Sequence, residues 1–597
     1  MKKYLFFTIL LFLVNDVFSQ LYVSSNSFVF AKNNVVYVRQ NVNLQNNSNI
    51  YLRNEAQLVQ GTTGLSTNVG LGKLSVYQEG TSDNFDYNYW CSPIGNASAT
   101  VGNENFGITM LNNPTTNVSS TPVSILASSY NGIASPLSIS SYWIWKFLSS
   151  STYSQWFQSA ANPDIAAGQG FTMKGTSGTD NTNVGEVDVN NPGGAQRYDF
   201  RGKPNDGTIT VNVATNNFTL TGNPYPSALH VNAFLLDPTN TDCTGIAYYW
   251  EHDKTVNSHN LIAYRGGYGT YSPVGTLPTD YGVYVPATFN SYDINGNLNT
   301  TGASSGLSIE RKYAPIGQGF MVRGKASGAP VSITLKNAHR TFYKESNTYS
   351  QFEKNGNNEN VPTSSGDDTS VSYIRLNTIM NNEFTRQMAL VLVPQATDGV
   401  DRGIDAKSPT EETLPNDVYF FLDNDRYVIE GVSFDIDKRI PVGIKATNAT
   451  FKFSLLEIVN FDVNQDVFIY DALDGSYHNL KIEAYQVNLE TGIYNSRFEI
   501  TFKDSALNTA TNTIESLVVV QNNTNQLLSI SNPNLKEIKT VQLYDISGKL
   551  ILNKETLETK TNYEFATNAL SEAVYIVKIA TKNNEIYNQK IIVERTK

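Results

Sequence analysis

The chain has 597 residues, only 16% of them charged, and a formal net charge of −11. That balance lacks a basic footprint for nucleic acid, and two cysteines in so long a chain exclude a disulfide-dense scaffold. Asn, Thr, Ser, Gly and Tyr are abundant, while Val, Ile and Leu come in short runs bounded by Asn-Gly, Asp-Gly and Asn-Asn, which points to an all-β chain of about three to five domains.

Residues 1–19 have the pattern of a signal peptide: Lys2 and Lys3, an apolar stretch from Tyr4 to Val14, then Val17-Phe18-Ser19 before a cut at Gln20. No cysteine follows the cut, which argues against a lipid anchor. No later stretch reaches the roughly 20 apolar residues of a spanning helix, so no transmembrane segment is expected in the mature chain. From 20 to 84, Val35-Val36-Tyr37-Val38, Val42-Asn43-Leu44, Ile50-Tyr51-Leu52 and Ala56-Gln57-Leu58-Val59 alternate with Asn-rich corners, a spacing that predicts a short-strand β-solenoid or a meander.

From 85 to 352 the chain repeats itself. Tyr89-Trp90-Cys91-Ser92-Pro93, Tyr142-Trp143-Ile144-Trp145 and Gly168-Gln169-Gly170-Phe171-Thr172-Met173-Lys174-Gly175 return in order as Thr221-Gly222-Asn223-Pro224-Tyr225-Pro226, Tyr248-Tyr249-Trp250 and Gly317-Gln318-Gly319-Phe320-Met321-Val322-Arg323-Gly324. The intervals differ, and loop length is thermodynamically inexpensive, so two related β lobes are predicted. A polar linker follows at 353–371. Residues 372–503 alternate in strand period, with Asp474-Gly475 as a hairpin turn, and predict an antiparallel β-sandwich. A second linker at 504–513 precedes a compact β module at 514–597.

Residues that could carry chemistry are few. The five histidines show no His-Glu-x-x-His motif or other metal-ligand spacing, and there is no Gly-x-Ser-x-Gly elbow. Glu251-His252-Asp253 is the densest polar triplet; strand alternation sends His252 to the opposite face from its neighbours, and surface charges are the plainer reading. Glu251, flanked by aromatics, is the best catalytic guess among the acids. Cys91 and Cys243 either bridge two lobes or stay buried thiols, and nothing local activates Cys91. Asp398, Asp401 and Asp405 share one Gly-containing loop, a hard-oxygen set that could take Ca²⁺ or form a solvated acidic turn; no other cofactor is expected. Trp143, Trp145, Trp156, Tyr248, Tyr249 and Trp250 cluster in the duplicated region. Trp143 and Trp145, two apart on a strand, would point to one face, and with Tyr249 and Trp250 form either a core stripe or a glycan-stacking platform. Asp504-Ser505-Ala506 fits a short acceptor pattern for O-glycosylation at Ser505.

The last module resembles the type A C-terminal sorting domain of cargo of the Bacteroidetes type IX secretion system. The likeness rests on Asn532-Pro533-Asn534, Val541-Gln542-Leu543-Tyr544-Asp545-Ile546-Ser547-Gly548-Lys549-Leu550, Leu570-Ser571, Val574-Tyr575-Ile576-Val577-Lys578-Ile579 and Lys590-Ile591-Ile592-Val593. Asn534 replaces a common Ser and Ala573 a common Gly. The resemblance implies an Ig-like seven-stranded sandwich, with Gly548, Lys549, Val574, Tyr575 and Lys578 in its motif. It also implies Sec export through the periplasm and recognition by the type IX outer-membrane translocon and its sorting machinery. The mature protein is then expected to be extracellular or on the outer-membrane surface. The segment before it is similar to modules that precede such domains, through Asp398-Gly399-Val400-Asp401-Arg402-Gly403-Ile404-Asp405-Ala406, Ile440-Pro441-Val442-Gly443 and Arg497-Phe498. The centre resembles flavobacterial surface proteins with Tyr-Trp-x-Ser-Pro and Gly-Asn-Pro-Tyr-Pro blocks. The expectation is a non-enzymatic, adhesin-like or glycan-binding protein with surface polysaccharide as partner; a secreted polysaccharide hydrolase and a structural or motility component are the alternatives.

Overall fold

The computed structural model describes residues 20–98, 102–159, 161–275, 282–292, 298–305, 311–326, 328, 331–345, 350–352, 371–407, 414–462, 464–504, 517–583 and 585–595. The signal peptide, most of both linkers and Ser505 lie outside them. The protein is all-β; the α-helix among the described residues is the single turn Val231–Leu235. Two compact units divide it, Met1–Lys503 and Asp504–Lys597.

The first strands stack in parallel, coil on coil. Leu21–Val23 lies on Val42–Leu44, Val35–Val38 on Gln57–Gln60, and Phe28–Lys32 on Asn49–Arg53, which lies in turn on Lys73–Glu79. A meander would pair antiparallel, so this is solenoid geometry. The asparagines make its corners: Asn26 and Asn47, and Asn33 and Asn54, have φ of 59°, 60°, 63° and 49°. Asparagine tolerates that left-handed conformation better than other side chains. Asn47 Nδ2 donates to Asn26 Oδ1 at 3.3 Å, one rung of an amide ladder.

The solenoid has no core of its own. Lys73–Glu79 pairs with Arg197–Pro204, which pairs with Leu111–Pro114, so one seven-stranded sheet crosses residue 84. Ile50, Leu52, Leu74 and Val76 share a cluster with Trp90, Phe106, Phe171 and Phe200. The break expected at 84–85 is therefore not a division of the core.

The two Gly-Gln-Gly-Phe blocks enter equivalent strand pairs. Tyr87–Cys91 pairs antiparallel with Gly170–Lys174, setting Cys91 opposite Gly170 and Tyr87 opposite Lys174. Phe218–Gly222 pairs with Gly319–Gly324, setting Gly222 opposite Gly319 and Phe218 opposite Arg323. Each pair places its cation over its aromatic ring, Lys174 at 4.8 Å from Tyr87 and Arg323 at 5.1 Å from Phe218. Gly168 and Gly317 have matching φ of 83° and 79°. The lobes meet at these blocks: Cys91 N donates to Gly317 O at 2.8 Å.

Residues 372–503 form two sheets over one core. Five strands run in the order Ile429–Val432, Phe384–Leu392, Ser372–Met380, Ala449–Val459, Tyr485–Leu489; the other sheet has six. All pairings are antiparallel except that of Phe384–Leu392 with Ile429–Val432. The outer side of the first sheet is also buried: Ala389, Val391 and Ile429 share a cluster with Ile246, Tyr248, Val283 and Val285 of the second lobe. Thr288 Oγ1 donates to Thr385 O at 2.8 Å and Arg375 Nη1 to Tyr284 O at 2.7 Å.

Among the described residues the terminal unit has seven strands in antiparallel sheets of three and four. Leu528, Ile530, Val541, Leu543, Tyr575, Val577 and Ile579 fill the space between them.

Candidate functional site

An aromatic seam runs through the first unit. Trp156 packs on Phe147 and Tyr89; Tyr89 stacks on Trp250 at 6.0 Å, and Trp250 on Tyr264 at 6.2 Å. Tyr264 meets Tyr87 edge-on, and Tyr87 meets Trp143 at 5.9 Å. From there the seam reaches the surface. Trp143 Nε1 donates to the Tyr130 carbonyl at 2.6 Å, Tyr130 meets Tyr142 at 4.9 Å, and Tyr142 meets Trp145 at 6.5 Å. Tyr130, Tyr142 and Tyr153 are 54%, 41% and 46% exposed, Trp145 is half-buried, and Gln158 beside it donates to the Tyr142 carbonyl at 3.2 Å. The Tyr153 hydroxyl is pushed up by burial and by the Tyr142 hydroxyl nearby.

The four residues expected to form one platform are thus separated. Tyr249 is 1% exposed, a core residue beside Phe320 and Tyr284, and Trp250 is half-buried inside the seam. Trp143 and Trp145 do not alternate along one strand, because Ser141–Trp143 is a 3₁₀ turn. Trp143 faces inward, and Trp145 sits on the two-residue strand Trp145–Lys146. Sequence reasoning gave no binding role to Tyr130, Tyr142 or Tyr153; Tyr142 and Tyr153 sit on 3₁₀ turns, where strand alternation does not say which side chains face outward.

Behind this surface lies a caged amine. Lys174 Nζ sits 4.0 Å from the Trp143 ring, 4.8 Å from Tyr87 and 5.3 Å from Tyr264, and 3.2 Å from His259 Nδ1. His259 stacks on Trp143 at 5.2 Å. Burial pulls the amine down to about 7, against the opposing pull of Asp86 and Asp83. A cation at matched positions of the two Gly-Gln-Gly-Phe blocks, Lys174 and Arg323, was the available signal.

The acidic triplet corrects the surface reading: Glu251, His252 and Asp253 are all buried. Alternation does divide them. The Glu251 carboxylate accepts from Tyr284 Oη at 2.5 Å and from Ala287 N at 2.9 Å, and burial raises it to about 7. His252 Nε2 lies 3.0 Å from Asp86 Oδ2, both fully enclosed. Asp253 pairs with Arg265. Each group is engaged by a neighbour.

The loop carboxylates do not converge on a cation position. Asp398 pairs with Lys438, Asp401 accepts from Thr397 N, and Asp405 accepts from Asp401 N and Gly431 N. Among the described residues no group of three or more His, Cys, Asp or Glu is arranged to hold a metal. The loop is a clamp instead: Arg402 donates to the carbonyls of Cys243, Leu235 and Asn240, and Ser272 Oγ donates to the Ile404 carbonyl at 2.7 Å. Cys91 and Cys243 are buried free thiols.

In the terminal unit the motif residues divide by face. Asp545 Oδ1 accepts from the N–H of Ser547 and Lys549 at 2.9 and 3.0 Å, closing a hairpin in which Gly548 has φ of 82°. Tyr575 points inward, its hydroxyl donating to the Ser571 carbonyl at 3.0 Å. Val574, Ile576 and Lys578 alternate with it onto the outer face. Ala573 pairs in regular register with Val593.

Residues 12–502 match the family described as domain of unknown function DUF8693, and the chain belongs to that family. Residues 507–593 match a second domain of unknown function, DUF8694. No curated protein matches the chain. Among solved structures, that of the Pseudomonas aeruginosa CupB2 chaperone is similar over 38% of this chain and 90% of its own, at 10% identity and a TM-score of 0.10, which is too low to carry an argument.

Proposed function

We propose that this member of the DUF8693 family is an exported, non-enzymatic protein that binds glycans at the surface formed by Tyr130, Tyr142, Trp145 and Tyr153. The observation that supports it is the exposure of Tyr130 and Tyr142, linked to each other and to the half-buried Trp145, at the end of the packed aromatic seam. Aromatic faces stack on the apolar face of a sugar, and the tyrosine hydroxyls and the Gln158 amide supply hydrogen bonds at the edge. Pre-ordered rings lose little conformational entropy on binding. The test is a glycan array on the intact protein, followed by titration of the best ligand against a Tyr142→Ala/Trp145→Ala variant. A loss of at least tenfold in affinity, about 1.4 kcal/mol, with an unchanged melting curve is expected. Unaltered affinity contradicts the reading.

Delivery is the second half of the proposal: the terminal unit acts as an address for a type IX exporter and its sorting machinery, and the mature protein works outside the outer membrane. The resemblance of residues 532–593 supports it, as does the placement of Lys549, Val574 and Lys578 on the exterior of a separately folded unit. A strain expressing the chain without residues 514–597 should retain it in the periplasm; appearance of that truncation in the medium at the normal level refutes the address.

A further inference from the structure

The sheet that joins the solenoid to the first lobe has a second side. Its core side carries Ile50, Leu52, Leu74, Val76 and Phe200. Strand alternation puts Asn49, Tyr51, Arg53, Lys73, Ser75, Asp199 and Arg201 on the other. Registry aligns them: Tyr51 is opposite Ser75, and Ser75 opposite Arg201. Part of this polar face is sealed by the turn at 115–120. Arg53, lying 3.6 Å from the Tyr77 ring, donates to the Asn117, Leu52 and Ser75 carbonyls. The buried Asp199 carboxylate accepts from Ser75 Oγ at 2.6 Å and Ser120 Oγ at 2.5 Å.

Beside the sealed part is a depression of about 410 Å³, lined by Asn47, Asn49, Lys73, Asn112, Ser119 and Arg201, with Tyr51 also in its wall. That volume falls in the range of small-molecule sites. Its charge is one-sided, since Lys73 and Arg201 line it and no carboxylate does; Asp199 is fully buried with its serines. Arg201 is only loosely held from within. Its Nε is 3.3 Å from Asp199 Oδ2 and makes no well-formed hydrogen bond, and its Nη2 reaches the Val118 carbonyl at 3.4 Å. A guanidinium with spare donors takes a carboxylate or sulfate well. Three amides and a serine hydroxyl around it offer both donors and acceptors, which suits a polyhydroxylated ring better than a bare inorganic anion.

We infer that this depression binds an anionic saccharide, its acidic group on Arg201 and Lys73 and its hydroxyls on Asn49, Asn112 and Ser119. The inference stands apart from the aromatic surface and does not require it.

The experiment is calorimetric titration of the full chain with oligogalacturonate, with a sulfated oligosaccharide, with a neutral cello-oligosaccharide and with inorganic sulfate. At least one anionic oligosaccharide should bind. Its affinity should fall at least tenfold in Lys73→Gln and in Arg201→Gln, and fall as salt is raised. The uronate and sulfate arms identify the acidic group. Lys73 is exposed, so Lys73→Gln remains a fair test if Arg201→Gln is unstable. Absence of binding by both anionic oligosaccharides, equal binding of the neutral one, competition by inorganic sulfate at equal concentration, or full affinity in Lys73→Gln overturns the assignment.

Discussion

Cys91 and Gly222 hold the same place in the two lobes and press against each other there. Each stands opposite the second glycine of its own Gly-Gln-Gly-Phe block, Gly170 and Gly319. A Cβ built on Gly222 would fall 2.6 Å from the Cys91 Cβ, 2.3 Å from the Gln318 carbonyl oxygen and 2.7 Å from the Gly319 Cα. The lobes approach backbone to backbone because one of the two equivalent positions has no side chain.

Gly222→Ala should therefore destabilise the first unit by roughly 1–3 kcal/mol or more, the cost of overpacking a site with no flexible atom to move. Urea unfolding of the full chain, followed by tryptophan emission, measures it. Gly178→Ala serves as a steric control, since nothing lies within 4 Å of that position, although its φ of 79° adds a strain cost of its own.

Glu251 and Lys174 impose opposite pH slopes in separate windows. Glu251 is raised from 4.5 to about 7 in the folded chain, so between those values the unfolded chain has lost a proton that the native chain keeps. Stability falls as pH rises through that window. Lys174 is lowered from 10.5 to about 7, so between those values the unfolded chain holds the extra proton. Stability then rises with pH. Measured as differences from the parent, Glu251→Gln should remove a falling component between pH 4.5 and 7, and Lys174→Met a rising one between pH 7 and 10. Parallel curves for parent and variant would contradict either assignment.

Both thiols should be inert in the native chain. Burial raises Cys91 well above the ordinary thiol value and raises Cys243 too, with Arg402 beside Cys243 only partly opposing it, and the thiolate is the nucleophile. Iodoacetamide at pH 8 should label neither residue before denaturation and both after it, with no mass change on prior reduction. Native labelling of either cysteine, or a reducible bridge, would disprove this.

In the terminal unit, Gly548 sits at φ of 82° with nothing within 4 Å of an added Cβ. Gly548→Ala should cost about 1–2 kcal/mol through backbone strain alone, seen as faster amide exchange in Ile538–Asp545 and Leu550–Glu555 with exchange in the first unit unchanged. Ala573→Gly, in a regular strand, should cost less than 1 kcal/mol.

The sequence alone determined the fold class, the asparagine corners and the repeated Gly-Gln-Gly-Phe blocks. All of these follow from periods, turn residues and repeated blocks that are local along the chain. It could not determine which aromatics stay wet, that Glu251, His252 and Asp253 are enclosed, that Arg402 and its loop clamp the second lobe, or that Lys73 and Arg201 meet at one depression. Those depend on which sheet faces are covered by distant segments, such as the turn at 115–120 and the sandwich strand Phe384–Leu392. Burial of a face is a property of what packs on it, and the residues that do so lie tens to hundreds of positions away.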